Sequence, residues 1–343
     1  MPYVAIVLAL WTQVPTLLQE GRAEYLNGHF ATAERLLGDA LAQLSQNDNS
    51  LRAKALGNLG DVYSEQEEYL KAEGAYSQAL SLWKQLSDPG AAALMLHNLG
   101  MIYSIQERND EALRFLTQAY QSVKSALPAD PAITAQVLNG LGIVHYRRNN
   151  NGKAEQFFNR ALEVVHTSGV QFNTGGVLNN LGALYLRQHK FKQAEDVLYQ
   201  ALKIKEADKG PANPDLIPEL NTLGAIYTAT GKYLEAERQY ERSLMILESR
   251  HTDFAPAIAR TLHSLSRTYS KLGRQLESDM ALTEAATIAR GNLSKDSEMA
   301  QIVQDYSKLL KSHGKTEEAA LLRAQVKRAR AVADLVVRTR PSL

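Results

Sequence analysis

Two short stretches of this sequence, and its scattered histidines, have residue types that catalysis or cofactor binding would use, and each fails on its surroundings. Gly314-Lys315-Thr316 matches the end of a phosphate-binding loop, in which backbone amides and a lysine hold phosphate. The leading glycine of that loop would fall at position 309, where the chain has Leu309, and the residues before it have helical rather than strand spacing. It reads as a turn between helices. Gly140-Leu141-Gly142 supplies two glycines of a dinucleotide fingerprint, but His145 takes the third place and no strand precedes it. The eight histidines show no H-E-x-x-H or H-x-x-x-H spacing, and His97 and His263 share a phase but stand far apart in the chain. With no cysteine at all, thiolate catalysis, disulfides and Cys-type zinc sites are excluded. There is no G-x-S-x-G elbow either. The expectation is a non-enzyme with no cofactor and no metal.

A different set of polar residues recurs. Gly57, His97, Asn139, Asn179, Asn221, His263 and Gln304 stand in one phase at steps of 40 to 42 residues, and Asn58, Asn98 and Asn180 form a neighbouring series. Asparagine is a poor helix former because its side chain competes for the backbone, so repeated Asn inside helices needs a reason. An amide offers two donors and a two-lone-pair acceptor. It can pair with the backbone of an extended peptide whatever its sequence, or it can tie neighbouring helices together. Both readings stay open at this point.

What positions these residues is a repeat. In Leu178–Leu202, the residues Leu178, Leu181, Gly182 and Tyr185 fall on one stripe of a first helix. Ala194, Val197, Leu198 and Ala201 do the same on a second, and His189-Lys190 joins the two. The leading leucine recurs at Leu56, Leu96, Leu138, Leu178, Leu220 and Leu262, in steps of 40 or 42. In phase with it run the glycines Gly60, Gly100, Gly142, Gly182 and Gly224, with Ser266 next. The alanines Ala72, Ala112, Ala154, Ala194 and Ala236 keep the same phase. Glycine inside a helix costs about 1 kcal/mol relative to alanine, so a recurring glycine implies close helix contact. Each pair buries only one face alone and must stack on its neighbours.

The marks Leu181, Gly182, Tyr185, Ala194, Leu198 and Ala201, with their equivalents, resemble the tetratricopeptide repeat family. The period, longer than the usual 34 residues, is similar to that of the kinesin light chain type. The resemblance implies an all-α, right-handed superhelical solenoid of about eight antiparallel helix pairs, with first helices lining a concave groove. It implies non-catalytic binding of a protein or extended peptide, as an adaptor or scaffold. The alternative is a peptide-signal receptor or the regulatory repeat subunit of a larger enzyme assembly. On that frame the groove residues are His97, Asn98, Asn139, Tyr146, Arg147, Asn179, Asn180, Arg187, Asn221, His263, Arg267 and Lys271. Arg147, Arg187, Arg267 and Lys271 make the groove basic and favour an acidic partner.

Across all 343 residues, 38 basic and 37 acidic side chains nearly cancel. That argues against general nucleic-acid binding, which needs a basic excess. Three segments are expected: residues 1–13, a repeat array over 14–326, and a basic helical end over 327–343 carrying Lys327, Arg328, Arg330, Arg338 and Arg340. The apolar run Val4–Trp11 is too short to span a membrane. It reads either as a helical cap or as the apolar part of an export signal. The cytoplasm is favoured unless it is the latter. Nothing in the sequence fixes the oligomeric state.

Overall fold

The computed structural model describes residues 2–45, 47–126, 128–170, 172–249, 254–293 and 297–338. Met1 and Arg340 lie outside the described residues, as do the side chains of residues 2–13, Arg330 and Arg338. Among the described residues there are sixteen α-helices, one short 3-10 turn and no strand. By contact the chain divides into two units, Met1–Val177 and Leu178–Leu343.

The first unit holds four helix pairs. They are α1 (Pro2–Leu26) with α2 (Phe30–Gln43), α3 (Asn49–Glu65) with α4 (Tyr69–Gln85), α5 (Pro89–Ile105) with α6 (Asn109–Ser125), and α7 (Pro131–Arg147) with α8 (Asn151–Ser168). Helix α9 (Thr174–Arg187) straddles the unit boundary. The second unit continues with α10 (Phe191–Lys209), then the Pro214–Leu216 turn and α11 (Ile217–Ala229) with α12 (Tyr233–Glu248). It ends with α13 (Ala255–Lys271) and α14 (Gln275–Arg290), and α15 (Ser297–Ser312) and α16 (Thr316–Arg338). Asp88 and Asp130 cap α5 and α7 ahead of a first-turn proline, accepting from Ala91 N at 2.9 Å and Ala132 N at 2.7 Å.

One turn closes every pair. Its central residue is left-handed at Gly28, Glu67, Glu107, Asn149, His189, Gly231, Gly273 and Gly314, with φ between 58° and 80°. The next amide reaches back to the carbonyl of the repeat tyrosine, as in Glu68 N to Tyr63 O (2.8 Å), Arg108 N to Tyr103 O (2.9 Å) and Lys190 N to Tyr185 O (2.8 Å). This closure satisfies carbonyls that a helix end leaves open. It also reverses the chain within a few residues, so the two helices lie side by side.

Within a pair, glycine makes room for a large side chain. A Cβ added at Gly60 would lie 2.5 Å from the Tyr76 ring, at Gly100 2.7 Å from Leu116, and at Gly142 2.4 Å from Phe158. Gly182 stands in the same relation to Leu198 at 2.6 Å, and Gly224 to Tyr240 at 2.6 Å. The structure seats the residue four positions after each alanine over the glycine, and the alanines Ala72, Ala112, Ala154, Ala194 and Ala236 are fully buried beside it.

Within each unit, neighbouring pairs meet second helix to first helix, and first helices also meet one another: α1 with α3 and α5 with α7 in the first unit, α11 with α13 and α13 with α15 in the second. The first helices therefore form one layer of each unit and the second helices the other. The all-α array of helix pairs is the expected one.

Candidate functional site

The first-helix layer carries the amide and cationic residues, and its geometry shows how they are held. In the first unit Asp61 of α3 is a hub. It accepts from Arg22 Nη1 at 2.7 Å, Tyr76 Oη at 2.7 Å and Asn98 Nδ2 at 3.2 Å, and so links three successive pairs. Burial pushes its carboxyl up, while the Tyr76 hydrogen bond and Arg22 pull it down. Asn98 is half-buried and spends a donor on this link. His97 is buried at 6% exposure, its Nδ1 has no protein hydrogen-bond partner, and burial lowers its pKa to about 4. A Cβ on Gly140 of the next pair would lie 2.9 Å from its ring, so His97 supports the layer from beneath. Asn139 and Tyr146 are half-buried and engaged within the protein. Arg147 is exposed, and its Nη1 donates to the Ser104 carbonyl at 3.1 Å.

In the second unit the same series stitches first helices together. Asn179 Oδ1 accepts from Thr222 Oγ1 at 3.3 Å, and Asn221 Nδ2 donates to Thr261 Oγ1 at 3.0 Å. His263 Nε2 meets Asp305 Oδ2 at 3.2 Å. Burial lowers the His263 pKa while Asp305 opposes that. Asn221 keeps a buried Oδ1 with no protein partner. Asn180 and Arg187 are half-buried and engaged. Arg267 and Lys271 are exposed one turn apart on α13, and neither has an ion-pair partner among the described residues. Asn179 and Asn221 thus tie helix to helix, and the Asn221 Oδ1 that lacks a protein partner is itself buried.

Three acidic residues that matter here were not singled out from sequence. Asp61 stands where other pairs have Met101, Ile143, Ala183 and Ala225, and Asp305 stands in the Asn98 phase. Glu219 replaces the Met95, Val137 and Val177 of other pairs, is 0% exposed, and meets Lys205 Nζ at 2.8 Å. The signal was present in each case: a carboxylate in an otherwise apolar or amide phase. Among the described residues no cluster of three or more His, Asp and Glu side chains is placed to hold a metal ion, and no helix is long and apolar enough to cross a membrane.

Paired helices in register, small residues at each contact and a polar first-helix layer define a repeat scaffold. The tetratricopeptide repeat family profiles match residues 55–90, 90–165, 174–207 and 216–291, and the chain belongs to that family. It is a protein-binding repeat scaffold of the type this family forms. No curated protein sequence matches it. Among solved structures it is similar to a Rap protein complexed with competence and sporulation factor. That likeness has 15% identity and a TM-score of 0.66, over 95% of this chain and 88% of that one. It is also similar to the apo form of RapI, at 14% identity and a TM-score of 0.63, over 81% and 98% of the two chains. BtubC (BKLC) from P. vanneervenii matches at 20% identity and a TM-score of 0.57, over 64% of this chain and 90% of that chain. At these identities the likeness is one of fold.

Proposed function

We propose that the chain is a non-catalytic adaptor that binds an extended, acidic peptide segment along the first-helix layers of its repeats. The observation that carries this reading is the pairing of the polar row with cations on the same helices, exposed at Arg147, Arg267 and Lys271 and half-buried at Arg187. Asn139 and Arg147 share α7, Asn179 and Arg187 share α9, and His263 shares α13 with Arg267 and Lys271. An amide already pinned at one end loses little freedom on binding. The amide nitrogens of Asn179 and Asn221 would donate to peptide backbone carbonyls, while an arginine fork would select carboxylates. A protein of the same fold has been solved complexed with competence and sporulation factor, which makes a bound factor a reasonable cargo by fold analogy alone.

The reading is tested on an array of synthetic peptides of graded net charge, probed with the wild-type chain and with the Asn139→Ala, Asn179→Ala, Asn221→Ala triple variant. Acidic peptides should be retained by the wild type and lost by the variant. Retention governed by neither charge nor the amide row would put binding on the second-helix layer instead.

A further inference from the structure

The α15–α16 pair breaks a packing rule that the earlier pairs keep. In six pairs the glycine hollow is filled from the second helix by Leu37, Tyr76, Leu116, Phe158, Leu198 or Tyr240. In α13–α14 the hollow residue is Ser266 and the filling position holds Leu282. In α15–α16 the hollow residue is Ser307, and the filling position holds Arg323. A guanidinium cannot be left dry and unpaired. Arg323 stays exposed, and its Nε donates to Ser307 Oγ at 3.3 Å.

The space left is a cleft of about 760 Å³ lined by both helices. That volume lies within the range of small-ligand sites, roughly 300–1,000 Å³. Val326, 2% exposed, lies at its buried floor, exposed apolar surface comes from Ala331, and charge comes from Lys308, Arg323 and Lys327. Every charged side chain that lines it, among the described residues, is a cation. Asp305, the carboxylate that Lys308 meets at 2.7 Å, is also shared with His263 and Gln301. Lys327 has no ion-pair partner among the described residues. Like charges gathered in a partly enclosed cleft repel, and an anion relieves that repulsion.

We infer that this cleft is a second binding site, for a short acidic peptide segment that carries an apolar side chain. The apolar side chain would rest on Ala331 above the buried Val326, and flanking carboxylates would pair with Lys308, Arg323 and Lys327. The arginine fork suits a carboxylate in two-point contact. The inference goes beyond the amide-row reading. None of the residues substituted to test that row lines the cleft, so either reading can fail alone.

The test uses the full chain and a fluorescein-labelled peptide of alternating glutamate and leucine, with its glutamine-for-glutamate counterpart, read by fluorescence anisotropy. Two variants are compared with wild type: Lys308→Gln with Lys327→Gln, and Arg323→Leu. The second restores the apolar filling that Leu198 gives its own pair, so it should unfold at a higher temperature than wild type. Both variants should bind the acidic peptide at least about tenfold more weakly, and the glutamine peptide should bind weakly to all three. A folded Arg323→Leu variant with wild-type affinity would overturn the proposal. Equal binding of the glutamine peptide would do so too. So would phosphatidylserine vesicles that bind in its place with the same sensitivity to the variants, since the cleft would then serve a lipid surface.

Discussion

His97 shows what a single position in the repeat can hide. In sequence it is in phase with Asn139, Asn179 and Asn221 and shares their polar character. In the structure it is buried beneath Gly140, where burial favours its neutral ring and lowers its pKa to about 4. The unfolded chain would protonate it near pH 6.5. Between those values the unfolded state binds the extra proton, so the stability that the neutral ring contributes is present above pH 6.5 and is lost as pH falls toward 4. The wild type should lose roughly 1–2 kcal/mol between pH 7 and pH 5 from this group. His97→Asn, which copies the other repeats, should lose correspondingly less over the same range. Urea titrations at the two pH values measure the difference. His145 and His263, whose pKa values are also lowered, remain in both proteins and cancel. The phase of His97 was legible in the sequence. Its burial was not, because that depends on Gly140 in the next pair leaving room for the ring.

At the scale of elements, the helix pairs were readable because each costly glycine recurs in step. What fills the space above it was not, since spacing alone does not say which side chain of the facing helix leans over. With Phe158 2.4 Å from a Cβ on Gly142, Gly142→Ala should cost about 1–3 kcal/mol, read as a lowered thermal midpoint. The join between neighbouring pairs follows a second rule. Tyr103 Oη donates to Glu73 of the preceding pair at 2.5 Å, and Tyr227 Oη to Glu195 at 3.1 Å. Burial first, and then Glu73, raise the Tyr103 hydroxyl to about 12. Where the preceding pair has Leu113 in place of glutamate, the tyrosine is replaced by His145, which stacks on Phe157 at 5.4 Å. A hydrogen bond to a charged acceptor is worth about 1.5–3 kcal/mol. Tyr103→Phe should cost about that much, discounted for partial exposure, and far less in a Glu73→Gln background. A double-mutant cycle in denaturant measures the coupling.

At the scale of the molecule, near-neutrality conceals a sorting of charge. The 38 basic and 37 acidic residues cancel over the chain, yet α13 offers Arg267 and Lys271 with no ion-pair partner among the described residues, and α15–α16 adds Lys308, Arg323 and Lys327 around one cleft. The periodic residues marked the helix pairs, and the family resemblance implied about eight of them with the first helices on one side. The cleft was not legible, because it comes from Arg323 standing where a large apolar residue belongs, and that needs the glycine hollow to be known first. The amide row was found from sequence, but the tie it makes between neighbouring first helices became visible only in the contacts of Asn179 with Thr222 and Asn221 with Thr261.

The measurement closest to the central claim is calorimetric titration of the best acidic peptide from the array. Its affinity would be compared for wild type, the Asn139, Asn179 and Asn221→Ala triple variant, and Arg147→Ala with Arg187→Ala, each at low and high salt. Each lost amide should cost about 0.5–1.5 kcal/mol, the usual net for a neutral hydrogen bond. The arginine variant should lose more at low salt, and that loss should shrink as salt screens the charges. Circular dichroism should show all three folded. Equal affinities in three folded proteins, at both salt concentrations, would contradict the claim that the first-helix layers bind.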